Sequence, residues 1–481
     1  MTAAGRILRG GTVIDGTGAP RFAADVRVEN GVIVAVGQIL PQPEDDVIDI
    51  SGRVLAPGFI DVHTHDDQFV LESPAALPKL TQGVTTVVTG NCGISLAPLV
   101  RPTVPPPLNL LGGTDKYRFA TMADYAAAVD RVGPAVNVAA LVGHSTLRVN
   151  VLADPYQPAT AAEVARMADL TEEAMTAGAF GLSTGVFYAP AAAADVAEVA
   201  ALAKVAAAAG GVYTTHIRTE LEGIISALDE ALTAAQLADV PVILSHHKCA
   251  GLANWGRTVE TLAHIDAASK RQRVGLDAYP YVAGSTVLRS DLVDGVIEIL
   301  VTWSETYPEM AGRWLADIAR EWGCPQKEAC DRLQPGGACY FQMDEEDVRR
   351  VLQYPGTMIG SDGLPHDAHP HPRLWGTFPR VLGLYARELG LFSLEAAVHK
   401  MTGLSAARFG LRGRGEIAAG NVADLVVFDA DRVIDRSTFE VPIQQSQGID
   451  LVMVAGEIAL RDGQPTGARS GRFLRRPPPL T

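Results

Sequence analysis

The sequence predicts an α/β protein, a (β/α)8 TIM barrel joined to a small β-sandwich domain that both chain ends build. In the middle of the chain, strand-like runs recur eight times and are separated mostly by segments of helix length, as in that barrel. Both ends instead show short strands with glycine, asparagine or aspartate turns. The predicted barrel strands are 59–65, 85–90, 137–143, 181–185, 212–218, 241–248, 274–280 and 357–363.

The predicted sandwich has an N-terminal part, 1–55, and a C-terminal part, 411–481. The first part has a short β-type run, 12–14, before an Asp-Gly turn, and the second has an apolar strand over 422–428. Neither end has enough strands to close a hydrophobic core alone. We therefore expect the two ends to pair into one domain.

The metal-dependent barrel domain is predicted over 56–410, and its helices carry recognisable signals. Thr160, followed three residues later by Glu163, forms a capping-box pattern that predicts a helix over 160–177. The alanine-rich stretch 195–209 contains charged side chains, which indicates an amphipathic outer helix rather than a membrane span.

Two insertions are expected because the barrel domain exceeds the ~250 residues of a plain barrel by roughly 100. One is the proline-rich run 97–117 after the second strand. The other is the stretch 288–346 between strands seven and eight, which is much longer than an ordinary connection. Its tryptophans and tyrosine predict a mobile lid over a site.

Composition limits the partners of this 481-residue chain. With 55 acidic and 40 basic side chains, the net charge is −15, which argues against nucleic-acid binding. Five scattered cysteines do not form a disulfide framework and indicate a reducing compartment. Residues 1–11 lack a signal-peptide pattern, and no apolar run is long enough to span a bilayer. We expect a cytoplasmic protein with a small-molecule partner.

Six residues of metal-ligand type occur where predicted strands end, which is where active sites of this barrel lie. His63 and His65 end the first strand, and their spacing points both imidazoles to the same side. Cys92 lies in a glycine-flanked turn after the second strand. The other three, at the ends of strands five, six and eight, are His216, His246 and Asp362. These residue types suit a first-row metal ion.

Each residue also has an ordinary structural explanation. Cys92 alone is more typical of a small buried hydrophobe, and Asp362 could cap a helix. His144 either contacts substrate or is structural, and His247 should face away from the site. The histidines of the loop 365–372 are expected to line the mouth. Because ligand types coincide on five strand ends, a metal site is favoured.

The run 56–65, Ala-Pro-Gly-Phe-Ile-Asp-Val-His-Thr-His, together with Ala-Asp-Leu-Val at 423–426, resembles the amidohydrolase superfamily over essentially the whole chain. Four further segments resemble the N-acyl-D-amino-acid deacylases, or D-aminoacylases, within it. These segments are 90–93, 215–218, 245–248 and 360–363. Strand four has no lysine that could be carboxylated to bridge two metals, and Cys92 occupies the position of the cysteine that this group uses instead.

The resemblance implies a tightly held zinc on Cys92, His216 and His246. It implies a weaker second site on His63, His65 and Asp362. It also makes Asp362 the group that takes a proton from the attacking water and later delivers it to the leaving amine.

The resemblance further implies that Lys248, Arg373 and Tyr279 hold the substrate α-carboxylate, with an added hydrogen bond from Ser285. The implied function is zinc-dependent hydrolysis of N-acyl-D-amino acids to a carboxylate and a free D-amino acid. An N-acyl-D-glutamate or D-aspartate specialist, a related cyclic-amide hydrolase and a non-catalytic barrel relative are the alternatives.

Overall fold

The computed structural model describes residues 5–477, so the outermost parts of the predicted sandwich, 1–4 and 478–481, lie outside the described residues. The predicted eight-stranded parallel barrel is confirmed. Its strands follow one another around the sheet in chain order, and a bridge between Thr64 and Gly363 joins the last strand to the first. The barrel strands are Phe59–Asp61, Val84–Thr89, Asn137–Gly143, Gly181–Gly185, Val212–His216, Val242–Leu244, Val274–Ala278 and Thr357–Ile359.

Several strands end earlier than predicted, which leaves the candidate ligands His63, His65, His246 and Asp362 in the turns beyond them. Cys92 follows the second strand, as predicted. Cys92, His246 and Asp362 have φ angles of 54°, 37° and 50°, in the left-handed region that non-glycine residues rarely adopt. These residues therefore leave the β conformation and turn at the carboxyl end of the barrel. Backbone strain of this kind is typical of functional sites.

Close packing at this end also depends on a glycine. A Cβ atom on Gly185, at the end of strand four, would lie 2.2 Å from the carbonyl oxygen of Cys92. A larger residue would push the Cys92 turn away from the barrel, so glycine is required at this position.

Helices surround the barrel, and the predicted capping box is confirmed because Thr160 caps the helix Ala161–Thr176 together with Glu163. The α-helices are Phe69–Glu72, Leu77–Leu80, Met122–Val132, His144–Val151, Ala161–Thr176, Ala189–Ala192, Val196–Ala208, Ile224–Ala238, Thr258–Ser269, Leu315–Trp322, Gln326–Leu333, Glu345–Gln353, Arg373–Arg380, Leu394–Met401 and Gly403–Phe409. Val381–Glu388 is a π-helix. Short 3₁₀ turns are Leu108–Leu111, Thr114–Lys116, Leu252–Asn254, Ser290–Leu292 and Pro308–Met310. None of the helices within 5–477 combines the length and apolarity needed to cross a membrane.

The sandwich draws strands from both ends of the chain, as predicted. Leu425–Phe428 pairs antiparallel with Val54–Pro57, which joins the two ends in one sheet. One sheet contains Arg6–Arg9, Asp25–Glu29, Val32–Gly37 and Asp46–Asp49. The other contains Thr12–Val13, Phe22–Ala23, Val54–Pro57, Leu425–Phe428, Ile449–Val454, Glu457–Arg461 and Gln464–Pro465. Side chains of both sheets share one buried cluster.

The long insertion has its own sheet and its own hydrophobic core. Gly284–Val287 and Ile299–Ser304 both pair antiparallel with Gly336–Tyr340, so the sheet begins just before the predicted insertion. In the proline-rich insertion, Leu99–Val100 pairs with Arg118–Phe119. Mobility of the long insertion and the predicted domain boundaries stay predictions.

Candidate metal centre and active site

The six predicted ligand residues converge at the carboxyl end of the barrel. They form two groups of buried side chains in which the potential ligand atoms lie within 4.8 Å of one another. One group comprises His63, His65, Cys92 and Asp362, and the other comprises Cys92, His216 and His246. Cys92 belongs to both groups, so its sulfur is placed to bridge two neighbouring sites.

In the first group, the His63 Nε2 lies 3.2 Å from the Cys92 Sγ, and the His65 Nε2 lies 3.2 Å from the Asp362 Oδ1. Both histidines lie just beyond the first strand, which ends at Asp61, and their ring centroids are 5.7 Å apart. This group therefore offers nitrogen, sulfur and oxygen donors around one point.

In the second group, the His246 Nε2 lies 2.9 Å from the His216 Nδ1 and 3.5 Å from the Cys92 Sγ. Two imidazole nitrogens thus face each other beside a sulfur, and all three side chains are buried. A thiolate and two imidazoles are the donor set that zinc prefers, so these residues fit that ion.

The charges of the site stabilise an anionic thiolate and an anionic carboxylate. Burial opposes ionisation of Cys92, but His63 and His246 hold its pKa well below the ordinary value. Burial likewise opposes ionisation of Asp362, but Arg373 and His63 hold its pKa well below the usual range. Burial lowers the pKa of His65, yet Asp362 and Cys92 raise it to about 9. A cation that binds beside His65 therefore displaces a proton from it.

Three of the four residues predicted to bind substrate line the cavity, and the fourth lies behind its wall. Lys248, Tyr279 and Ser285 line the cavity beside the ligand cluster. Arg373 is fully buried outside this lining, with its Nη1 2.9 Å from the Asp362 Oδ2 and its guanidinium 4.5 Å from the Tyr279 ring centroid. Arg373 thus supports two residues of the cavity wall, and its predicted contact with a substrate carboxylate stays a prediction.

Two carboxylates in contact with the ligands were not predicted. The Asp277 Oδ1, near the end of strand seven, lies 3.2 Å from the His63 Nδ1 and accepts a hydrogen bond from the His246 backbone N–H. The Glu220 Oε1 lies 3.0 Å from the His246 Nδ1 and 2.6 Å from the Lys248 Nζ. Asp277 could have been found by inspecting every strand end, but Glu220 lies in the loop after strand five and has no positional signal.

Other histidines lie away from the cluster. His144 is buried and contacts Glu198 at 2.8 Å, and His247 faces away from the ligands toward Thr261. The expectation that the histidines of the loop 365–372 line the mouth is wrong, because none of them lines the cavity. His369 and His371 contact backbone carbonyls of Phe439 and Ala283 instead.

The remaining wall of the cavity is mostly apolar. The Phe187 ring stacks on the His216 ring at a centroid distance of 4.8 Å, and Tyr188 lies 5.0 Å from the same ring. Further apolar lining comes from Leu110, Leu221, Leu292, Tyr340 and Leu364. The site therefore combines a polar metal cluster with an apolar pocket, as is typical of small-molecule sites.

Relatives of known activity match nearly the whole chain. The sequence is 53% identical over 470 residues to a D-aminoacylase of Alcaligenes xylosoxydans xylosoxydans, covering 98% of this chain and 97% of that protein. It is 51% identical to an N-acyl-D-aspartate deacylase of the same organism, covering 97% of this chain and 94% of the relative.

Solved structures agree with this. One is a D-aminoacylase, with a TM-score of 0.96 at 52% identity; the match covers 98% of this chain and 99% of the D-aminoacylase chain. The binuclear metal centre of that enzyme is described as activated by one metal and attenuated by a second. The N-acyl-D-glutamate deacylase of Bordetella bronchiseptica, complexed with zinc and a phosphonate mimic of the tetrahedral intermediate, has a TM-score of 0.95 at 47% identity, with the same coverage.

The amidohydrolase family model matches residues 46–325 and 256–460. The resemblance predicted from the sequence motifs is thus confirmed by the family model, by the relatives and by the structures. The chain belongs to the amidohydrolase family and, within it, to the group of the D-aminoacylases and N-acyl-D-amino-acid deacylases.

Proposed function

We propose that this protein hydrolyses the amide bond of N-acyl-D-amino acids with zinc as cofactor and releases a carboxylate and a free D-amino acid. The observation that carries the proposal is the convergence of two donor groups on Cys92, beside a cavity lined by Lys248. Relatives named for this activity, at 53% identity or slightly below, support it.

Cys92, His216 and His246 would hold the tight zinc, and His63, His65 and Asp362 would form the weaker second site. Bound zinc supplies a Lewis acid that polarises the amide carbonyl and acidifies water. Asp362 takes the proton of the attacking water and passes it to the leaving amine. Arg373, 2.9 Å away, keeps that carboxylate ionised and ready to accept the proton.

The substrate α-carboxylate binds Lys248, which lines the cavity together with Tyr279 and Ser285. Arg373 is proposed for the same carboxylate, and its guanidinium lies 4.5 Å from the Tyr279 ring centroid, just behind the cavity wall. A fixed carbonyl and a fixed carboxylate leave one direction for the side chain, and this selects one enantiomer.

We also propose that the preferred D-amino acids are neutral. Among residues 5–477, Lys248 is the only lysine or arginine in the cavity lining, and leucines and aromatic rings form much of the rest. The nearby Arg289 lies over the Phe187 ring and pairs with Asp291 at 2.6 Å. A second substrate carboxylate would therefore enter an apolar pocket without a free cation, which is costly.

An acidic-substrate specialist is the second candidate, because relatives with that specificity are nearly as similar. The deciding experiment measures kcat/KM for N-acetyl-D-methionine, N-acetyl-D-glutamate and N-acetyl-D-aspartate after metal removal and addition of one equivalent of zinc. We expect zinc to restore most of the activity. We also expect kcat/KM for N-acetyl-D-methionine to exceed that for either acidic substrate at least tenfold, which corresponds to about 1.4 kcal/mol. Preference for an acidic substrate would favour the second candidate, and no hydrolysis of any substrate would refute the proposal.

We further propose a cytoplasmic location, because the five cysteines are all free thiols, as expected in a reducing compartment. Cell fractionation would test this, and recovery outside the cytoplasm would contradict it.

A further inference from the structure

Glu220 contacts both a candidate zinc ligand and the lysine assigned to the substrate carboxylate. Its Oε1 lies 3.0 Å from the His246 Nδ1 and 2.6 Å from the Lys248 Nζ. Both carboxylate and ammonium are about nine-tenths buried, with side-chain exposures of 11% and 10%. At this burial the pair is poorly screened by solvent, and its geometry is fixed.

Which ring nitrogen of the neutral His246 carries the proton depends on the group that contacts Nδ1. The Lys248 Nζ also lies 2.9 Å from that Nδ1, so a donor and an acceptor compete for the same nitrogen. Lysine can only donate, and an ionised glutamate can only accept. If Glu220 accepts, the proton is on Nδ1 and the lone pair is on Nε2, which faces Cys92 and His216. If Lys248 donates instead, the proton of the neutral imidazole moves to Nε2, where it blocks a metal.

We propose that Glu220 is a positioning residue with two tasks. It selects the tautomer of His246 that binds zinc, and its ion pair with Lys248 holds that ammonium at the wall of the cavity. Carboxylates that accept the second N–H of a ligating histidine typically change metal affinity by 10- to 100-fold. Glu220 would thus link metal retention to substrate binding. The inference rests on the proposed zinc-dependent function.

The main test is Glu220→Gln, which keeps the shape of the side chain but removes its charge. Zinc retention is measured on the full-length zinc-loaded protein by competition with a chromophoric chelator, without substrate. We expect zinc to bind 10- to 100-fold more weakly than in the unmodified protein. KM for N-acetyl-D-methionine, measured with excess zinc, should also rise, because Lys248 loses its fixed position.

Glu230→Gln is the matched control. Glu230 lies on the helix after the same strand and pairs with Arg218 at 2.7 Å, so the same charge is removed from an ion pair without contact to His246. Zinc affinity should be unchanged in this variant.

Two further variants separate the tasks. Lys248→Met should raise KM but retain zinc, because Glu220 still accepts the Nδ1 proton. The double variant Glu220→Gln/Lys248→Met should regain part of the lost zinc affinity, since no ammonium then donates to Nδ1. If Glu220→Gln does not fold, Glu220→Asp keeps the charge at a shorter reach and should lose less than tenfold in zinc affinity.

The inference is overturned if Glu220→Gln retains zinc as tightly as the unmodified protein, or if Glu230→Gln loses as much zinc affinity as Glu220→Gln. A Glu220→Asp variant that binds zinc more than 100-fold more weakly would also contradict it. Failure of the unmodified protein to bind zinc would instead overturn the proposed function, so the two failures are distinguishable.

Discussion

The two cations near the cavity differ in burial and in partner, and this predicts different effects of removing each. Lys248 lines the cavity, whereas Arg373 is fully buried with its Nη1 2.9 Å from Asp362. Lys248→Met removes the proposed charge-assisted contact to the substrate carboxylate, and such contacts are worth roughly 1.5 to 3 kcal/mol. We therefore expect kcat/KM to fall by about 10- to 150-fold, mostly through KM.

Arg373→Met should have a larger and different effect. It leaves the buried Asp362 charge without its partner, and breaking a buried ion pair typically costs about 3 to 5 kcal/mol. Without the guanidinium, the pKa of Asp362 rises from its depressed value. We therefore expect kcat to fall together with kcat/KM and thermal stability to decrease.

The assay is steady-state hydrolysis of N-acetyl-D-methionine, with zinc content and thermal unfolding measured on each variant. Arg373→Lys is the control, since it retains a cation but not the planar geometry, and it should be intermediate. If Arg373→Met raised only KM, at unchanged kcat and stability, the assignment of Arg373 as the partner of Asp362 would be refuted.

Three further predictions concern the ligands and the insertion. Asp362→Asn removes the proton acceptor, so turnover should fall on the order of 10² to 10⁴ while zinc stays in the tight site; unchanged turnover excludes Asp362 as the base. Cys92→Ala removes the thiolate, so metal analysis should show loss of the tight zinc and of activity; full retention of both contradicts the ligand assignment. If the insertion 288–346 is a lid, product should slow its limited proteolysis, whereas identical cleavage in both states indicates a permanently packed element.

The fold was largely predictable because eight strand-like runs recur along the chain and are separated mostly by segments of helix length, which is the pattern of this barrel. All eight barrel strands and the pairing of the two chain ends were predicted from such runs and from turn residues. The ends of the strands were less predictable. Cys92, His246 and Asp362 adopt left-handed backbone conformations that a period-two pattern does not reveal.

The candidate ligands were predictable because strand ends meet at one face of the barrel, whatever their separation in sequence. Residues that contact the side chains of the candidate metal ligands were not predictable in the same way. Glu220 contacts His246 across 26 positions of the chain because each follows one of two neighbouring strands of the barrel, and the loop conformation that brings them together has no local signal. The resemblance assigned Arg373 to the substrate carboxylate, but its burial against Asp362 depends on tertiary packing.

Enantioselectivity tests the central claim most directly. The zinc-loaded protein is assayed with N-acetyl-D-methionine and N-acetyl-L-methionine at equal concentration, and the released amino acid is quantified for each. A carbonyl held by the metal cluster and a carboxylate held by Lys248, as proposed, would leave one direction for the side chain and so admit one enantiomer. Because the similar relatives are named for D-amino acids, we predict hydrolysis of the D substrate and little of the L substrate. Comparable hydrolysis of both enantiomers would contradict the account.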